Sequence, residues 1–228
     1  MAESRPENLR KFNATIRDWP LLDTPAAIEY LKEKWPAKKL YLIGHSMGGN
    51  ILGLVGNLEK IDAAMFVCAQ FGYWKLWPRY WRTLMAFNFY VVVPVTSTIF
   101  GYVPRWLGAG QHWPRRIALE LAKWCRHPHY LFGDKSLDSS AYAKFDGSIL
   151  AYSFTDDTHA SKVACDALLL RFPIADIDHR HLAPNFLNLT KIGHFGFFTG
   201  KCEPLWKECG QWMTFKASQR ISSNAAAN

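Results

Sequence analysis

A serine hydroxyl is a weak nucleophile at neutral pH, and it becomes a useful one where a base can take its proton and the backbone holds it clear of its neighbours. One stretch of this chain has that character. Gly44-His45-Ser46-Met47-Gly48-Gly49 follows a β-rich run, Lys39 to Gly44, and precedes Met47 to Leu58, which is apolar with small residues. In a Gly-x-Ser-x-Gly turn between a strand and a helix the serine backbone is strained, and small residues two before and two after it, here Gly44 and Gly48, avoid collisions. Such a turn lifts Ser46 Oγ clear of the sheet. His45 is expected to lie inside the elbow and point away, and the Met47 N–H, at the helix start, to face the place where an oxyanion would form.

The pattern demands a base and an orienting acid later in the chain, in the order Ser, Asp, His. The candidate base is His194 in Lys191-Ile192-Gly193-His194-Phe195-Gly196, where two glycines let the loop bend. For the acid, Asp156-Asp157 follows an apolar run ending at Phe154. Asp157 is preferred and Asp156 stays open as the alternative, the neighbour being expected to cap the following helix. Of the other histidines, His112, His127 and His129 fall in a long insert and His159, His179 and His181 are assigned to loops. None has the spacing of a metal ligand set, so neither a metal nor a cofactor is expected.

These residues need a frame that gathers them at one edge. Asp23 to Trp35 reads as a helix, with Ala27, Ile28, Leu31 and Trp35 near helical spacing. Lys39 to Gly44, Ile61 to Phe71, Gly147 to Phe154 and Phe186 to Ile192 read as buried strands, with helices over Met47 to Leu58, Ser161 to Phe172 and Glu203 to Thr214. Alternation of this kind predicts an α/β class with a mostly parallel sheet, and places His194 directly after the last strand. Residues 1–71 and 147–217 are assigned to that core. Gly72 to Asp146 is too long for an ordinary crossover and is read as an inserted, mainly helical lid; residues 218–228, polar and small, are read as a disordered tail.

Composition narrows the class. The 228 residues are 49% hydrophobic and carry 27 Lys+Arg against 19 Asp+Glu, a net charge of +8. A chain this apolar folds around a core and is not disordered. Five widely spaced cysteines with no C-x-x-C pair, and a charged N-terminus with no apolar leader, point to reduced thiols and a cytoplasmic protein. Six of the eight net charges fall in the insert, together with Trp74, Trp77, Trp81, Trp106, Trp113 and Trp124. No nucleic-acid motif accompanies them, so nucleic acid is not an expected partner, and attraction to anionic lipid or acidic substrates ranks above it. The uncharged run Leu84 to Val103 is long enough for a membrane helix, but Pro94 and Gly101 favour a bent, surface-covering or buried segment over a span.

Taken together, GHSMGG after KLYLI, the Asp156-Asp157 pair, GHFGFF before the last helix and the interposed lid resemble the α/β-hydrolase superfamily. More closely they resemble its bacterial branch of serine hydrolases related to lysophospholipases and serine aminopeptidases. Ser4 to Arg10, Asp18-Trp19 and Ala26-Ala27-Ile28 resemble that branch's segment ahead of the nucleophile strand. The resemblance implies a Ser46-His194-Asp157 triad working through an acyl-enzyme, and the aromatic lid favours an ester with an apolar group over an amide. It also implies that earlier strands and a second oxyanion donor normally precede this point. The sheet is therefore expected to be N-terminally truncated to about four strands, with the nucleophile strand near an exposed edge that could self-associate. One rival expectation is a catalytically silent fragment acting as an interaction module; another, which could coexist with the hydrolase, is a peripheral membrane protein docking through Leu84 to Val103.

Overall fold

A computed structural model describes the backbone of residues 6–107 and 111–225 and the side chains of 9–107 and 111–216. In chain order its elements are helices α1 (Pro6–Lys11) and α2 (Thr24–Lys34), strand β1 (Tyr41–His45), α3 (Met47–Asn50), β2 (Ala63–Val67), α4 (Arg79–Phe87) and α5 (Val93–Phe100). There follow the two-residue strands β3 (Tyr102–Val103) and β4 (Trp113–Pro114), α6 (Arg115–Arg126), α7 (Ser140–Lys144), β5 (Ser148–Phe154), α8 (Lys162–Leu169), β6 (Asp176–Leu182) and α9 (Glu203–Ala225). They form two units, one of residues 25–71 and 139–228, the other of residues 1–24 and 72–138.

The first unit is built on a sheet of order β1-β2-β5-β6, parallel throughout among the described residues. Central strands covered on both faces must be apolar at every position, and β2 is buried along its whole length. Met65, Val67, Leu150, Tyr152 and Phe154 form one core layer with Leu205, Cys209 and Trp212 of α9. At the edges burial is partial: Ile43 of β1 is 53% exposed, and β6 is half-buried.

Three sequence expectations are corrected here. The fourth strand is Asp176–Leu182, not Phe186 to Ile192, where residues 184–187 form a 3-10 turn. His179 and His181 therefore lie on a strand and not in loops, and both bond Ser153 Oγ, at 2.8 and 2.7 Å. An edge strand exposes one side to water, so DIDHRHL reads as polar although its backbone is fully paired to β5. The helix expected over Met47 to Leu58 stops at Asn50 and continues as 3-10 turns. Gly53 lies so close to the Tyr142 ring that a Cβ there would meet it at 2.2 Å. At the C-terminus α9 continues through residues 218–225, where disorder was expected; residues 226–228, like Ser4 and Arg5 of the opening motif, lie outside the described residues.

The second unit holds most of the insert, and residues 1–24 cluster with it instead of with the sheet. The reason is electrostatic. Glu120 of α6 accepts the backbone N–H of Ile16 and Arg17 and pairs with the Arg17 guanidinium, whose other end reaches Asp134 at 3.1 Å. Asp134 also accepts from Lys123 and from the Nε1–H of buried Trp124. Leu84 to Phe100 of the uncharged run belongs to one long helical stretch, Arg79 to Phe100, and Tyr102–Val103 to β3; a π-turn at Asn88–Val92 lies just ahead of Pro94, whose missing N–H would break a regular ladder.

Candidate active site

Ser46 lies between β1 and α3 at φ 50°, ψ −117°, a conformation that L-residues rarely adopt. Three backbone bonds hold the bend. Ser46 N–H donates to Val67 O on β2 at 2.8 Å, and Ser46 O accepts from the N–H of Gly49 and Asn50 at 3.0 and 3.1 Å. The glycines divide differently from expectation. A Cβ on Gly44 would meet backbone atoms of Gly48 and Gly49 at 2.6 to 2.8 Å, and one on Gly49 would meet Ala69 Cβ at 2.5 Å. One on Gly48 would touch nothing within 4 Å, so Gly49 and not Gly48 is the second glycine the elbow requires.

The side chains chosen from the sequence come together. Ser46 Oγ is 2.9 Å from His194 Nε2, and His194 Nδ1 is 2.8 Å from Asp157 Oδ2. Since the carboxylate only accepts, Nδ1 carries the proton and Nε2 is the lone-pair nitrogen that receives the serine O–H. Asp157 Oδ1 is occupied by the N–H of His159 and Ala160 at 2.7 and 3.0 Å. Burial pushes this carboxyl up, but the hydrogen bond from His194 and the two backbone donors outweigh it, so Asp157 is held below the ordinary carboxylate value and stays ionised.

His194 does not follow a strand end; it lies well past β6 and is fixed by other means. Asp156 Oδ2 accepts the N–H of both Ile192 and Gly193 at 2.9 Å, clamping the loop. The helix cap expected of Asp156 is supplied by Ser161, whose Oγ accepts from Ala164 N at 3.2 Å. His45, expected to point away, turns toward the site: its Nε2–H donates to His194 O at 2.8 Å and its ring lies 5.0 Å from the His194 ring. His159 stacks on the same ring at 4.9 Å. Burial first, and then the neighbouring His194, lowers the proton affinity of His159, while burial does most to lower that of His45. Neither residue announces this in sequence, because His45 reads only as an elbow filler and the target of its bond is a backbone carbonyl.

Among the described residues, two groups of atoms within 4.8 Å of one another have metal-ligand character, His45-Cys68-His194 and Asp157-His159-His194, which the sequence spacing did not reveal. Each includes His194 of the hydrogen-bonded chain. Cys68, fully buried with φ 52°, is pushed well above the ordinary thiol value by burial and then by Asp157, so its proton stays on sulfur at neutral pH. All five cysteines are buried free thiols. Around the half-buried serine the accessible surface is apolar: Phe195 and Phe198 are both exposed and lie against His45 at 5.5 and 5.3 Å. A separate cleft lined by Lys39, Asp62, Asp146, Asp176 and Lys216 opens at the amino ends of the strands, the opposite edge from Ser46, and contains no candidate residue.

A family model described as alpha/beta hydrolase fold matches residues 2–94. No curated protein sequence matches the chain. Among solved structures, an esterase of Pyrococcus furiosus aligns at a TM-score of 0.54 and 16% identity over 88% of this chain and 63% of its own. A soluble variant of the monoglyceride lipase of Saccharomyces cerevisiae, solved with a substrate analog, aligns at 0.57 and 12% identity over 85% of this chain and 67% of its own. For a monoacylglycerol lipase of Paleococcus ferrophilus the values are 0.52, 12%, 89% and 76%. The chain thus spans less than two thirds of the Pyrococcus furiosus esterase. At such identities the likeness is one of fold.

Proposed function

We propose that this chain, which has the α/β-hydrolase fold, is a serine hydrolase that cleaves a carboxylic ester carrying an apolar group. The observation that carries the reading is the continuous relay from Ser46 Oγ through both nitrogens of His194 to Asp157, at 2.9 and 2.8 Å. His194 Nε2 takes the serine proton as Oγ attacks the ester carbonyl, and Asp157 stabilises the imidazolium that results. The Met47 N–H, at the first position of α3, donates to the oxyanion. Collapse of the tetrahedral intermediate breaks the C–O bond, and His194 returns its proton to the departing alcohol. Water, deprotonated by the same nitrogen, then attacks acyl-Ser46 and releases the acid. An ester is favoured over an amide by the apolar surface of Phe195 and Phe198, and by the esterase and lipase names of similar folds. A relation to the lysophospholipase branch is compatible with these features.

The test is a fluorophosphonate probe, followed by hydrolysis of p-nitrophenyl esters of graded acyl length and of the matching anilides. Labelling of the natural chain and none of Ser46→Ala is the expected result. A demonstrably folded chain that resists the probe would replace this reading with the catalytically silent interaction module.

A further inference from the structure

Helical stretch Arg79 to Phe100 presents a continuous uncovered face. Tyr80, Leu84, Phe87, Val91, Val95 and Ile99 recur at spacings of three and four, the repeat that aligns side chains along one side of a helix, and all six are exposed, from 42% to 73%. Soluble surfaces rarely leave so long an apolar stripe in water. Its surroundings carry one sign of charge. From Ala63 to Leu119 the sequence has no Asp or Glu and six basic residues, Lys75, Arg79, Arg82, Arg105, Arg115 and Arg116. Lys75 and Arg79 stand at the start of the stretch, and Arg105 with Trp106, 73% exposed, follows its end. Basic and aromatic residues bracketing an apolar stripe match the layers of an anionic bilayer surface, where phosphates meet acyl chains.

We propose that this face docks in the plane of an anionic lipid surface, with the six apolar side chains entering the acyl boundary and the flanking Lys and Arg meeting phosphate headgroups. The stretch is long and apolar enough to cross a bilayer, but its other side is committed to protein. Phe89, Val93, Thr96 and Ser97 are buried, and α5 packs on α6, whose sequence RRIALELAKWCR could not face hydrocarbon. In-plane docking buries the free side alone. The choice of a membrane over a protein partner rests on the layering, basic and aromatic residues at both ends of one apolar stripe, which matches headgroups over acyl chains.

The experiment uses the full chain carrying Ser46→Ala, so that its outcome does not depend on the hydrolase reading. Sedimentation with vesicles of phosphatidylcholine alone and of phosphatidylcholine mixed with phosphatidylglycerol is expected to show binding to the mixed vesicles, weakened by salt. Arg79→Glu should weaken it about tenfold, and Leu84→Glu with Val95→Glu about a hundredfold or more, with circular dichroism unchanged because these positions are exposed. Arg79→Lys, which keeps the charge, should bind as the parent does. A folded chain that ignores anionic vesicles overturns the proposal. So does one that stays in the bilayer through salt and alkaline washing, as a span would, or one whose stripe is instead covered in a dimer that Leu84→Glu and Val95→Glu dissociate.

Discussion

Replacing the elbow glycines with alanine, one at a time, should give three different answers. Ordinary van der Waals contact to a Cβ begins at 3.4 Å. At Gly44 the new atom would lie 2.6 Å from Gly49 N, 2.7 Å from Gly49 Cα and 2.8 Å from Gly48 C. These are backbone atoms of the turn that carries Ser46, so relief requires moving Ser46 itself. We expect a loss of about 3 kcal/mol or more, the upper end for overpacking, and loss of probe labelling. At Gly49 the clash is with Ala69 Cβ at 2.5 Å, a methyl with no rotamer to escape into, with lesser crowding from Phe66; about 2 kcal/mol is expected. At Gly48 nothing lies within 4 Å and φ is not positive, so alanine should be neutral or stabilise by about 0.5 kcal/mol through the unfolded chain. Urea unfolding followed by tryptophan fluorescence, compared at constant m-value, reads all three, and probe labelling reports whether the elbow survives. If Gly48→Ala proves as damaging as Gly49→Ala, the argument from close approach is wrong.

Three further outcomes follow from the same geometry. Ser46→Gly removes the hydroxyl and the strained φ together, so it should abolish labelling while raising stability by about 1 kcal/mol, read by urea unfolding. Asp156→Ala frees the N–H groups of Ile192 and Gly193 and should slow labelling about tenfold to a hundredfold, with Asp156→Asn, which keeps an acceptor oxygen, restoring most of it. Asp134→Ala should cost about 2 kcal/mol, since it leaves the buried Trp124 N–H without its acceptor and removes one partner from Arg17 and Lys123. Burial alone would push the Asp134 carboxyl up, but its bonds from Lys123, Ser136 and Trp124 prevail and hold it far below its ordinary 3.8. Its stabilisation is therefore present above that value and lost as the pH falls below it, and an acid titration of the alanine variant should lack that loss.

Local signals in the sequence were legible and long-range ones were not. Ser46 was readable because a strained turn between a strand and a helix needs glycines within a few positions of it. Asp157 and His194 were chosen on the order Ser, Asp, His and on expected strand ends, and although the last strand lies elsewhere the two side chains join Ser46 in one hydrogen-bonded chain. The strand Asp176–Leu182 was missed because half-buried edge residues carry charge, whereas the apolar Phe186, Leu187 and Leu189 imitate a strand. Nothing near residues 1–24 indicates that Arg17 will pair with Glu120 and Asp134, because that bond is made across a long separation in sequence. Which glycine the elbow needs depended on Ala69, a residue of another segment.

Because the main chain at 192–194 is tied by Asp156 on one side and His45 on the other, the placement of the His194 ring is independent of the strand that precedes it. Length changes in the stretch from Ala183 to Thr190 would be absorbed upstream of those ties, leaving the imidazole where it is. Exposed positions of the stretch, Asn185, Phe186 and Asn188, are where a tag could be grafted, whereas Leu187 and Leu189 pack against the core and must keep their places.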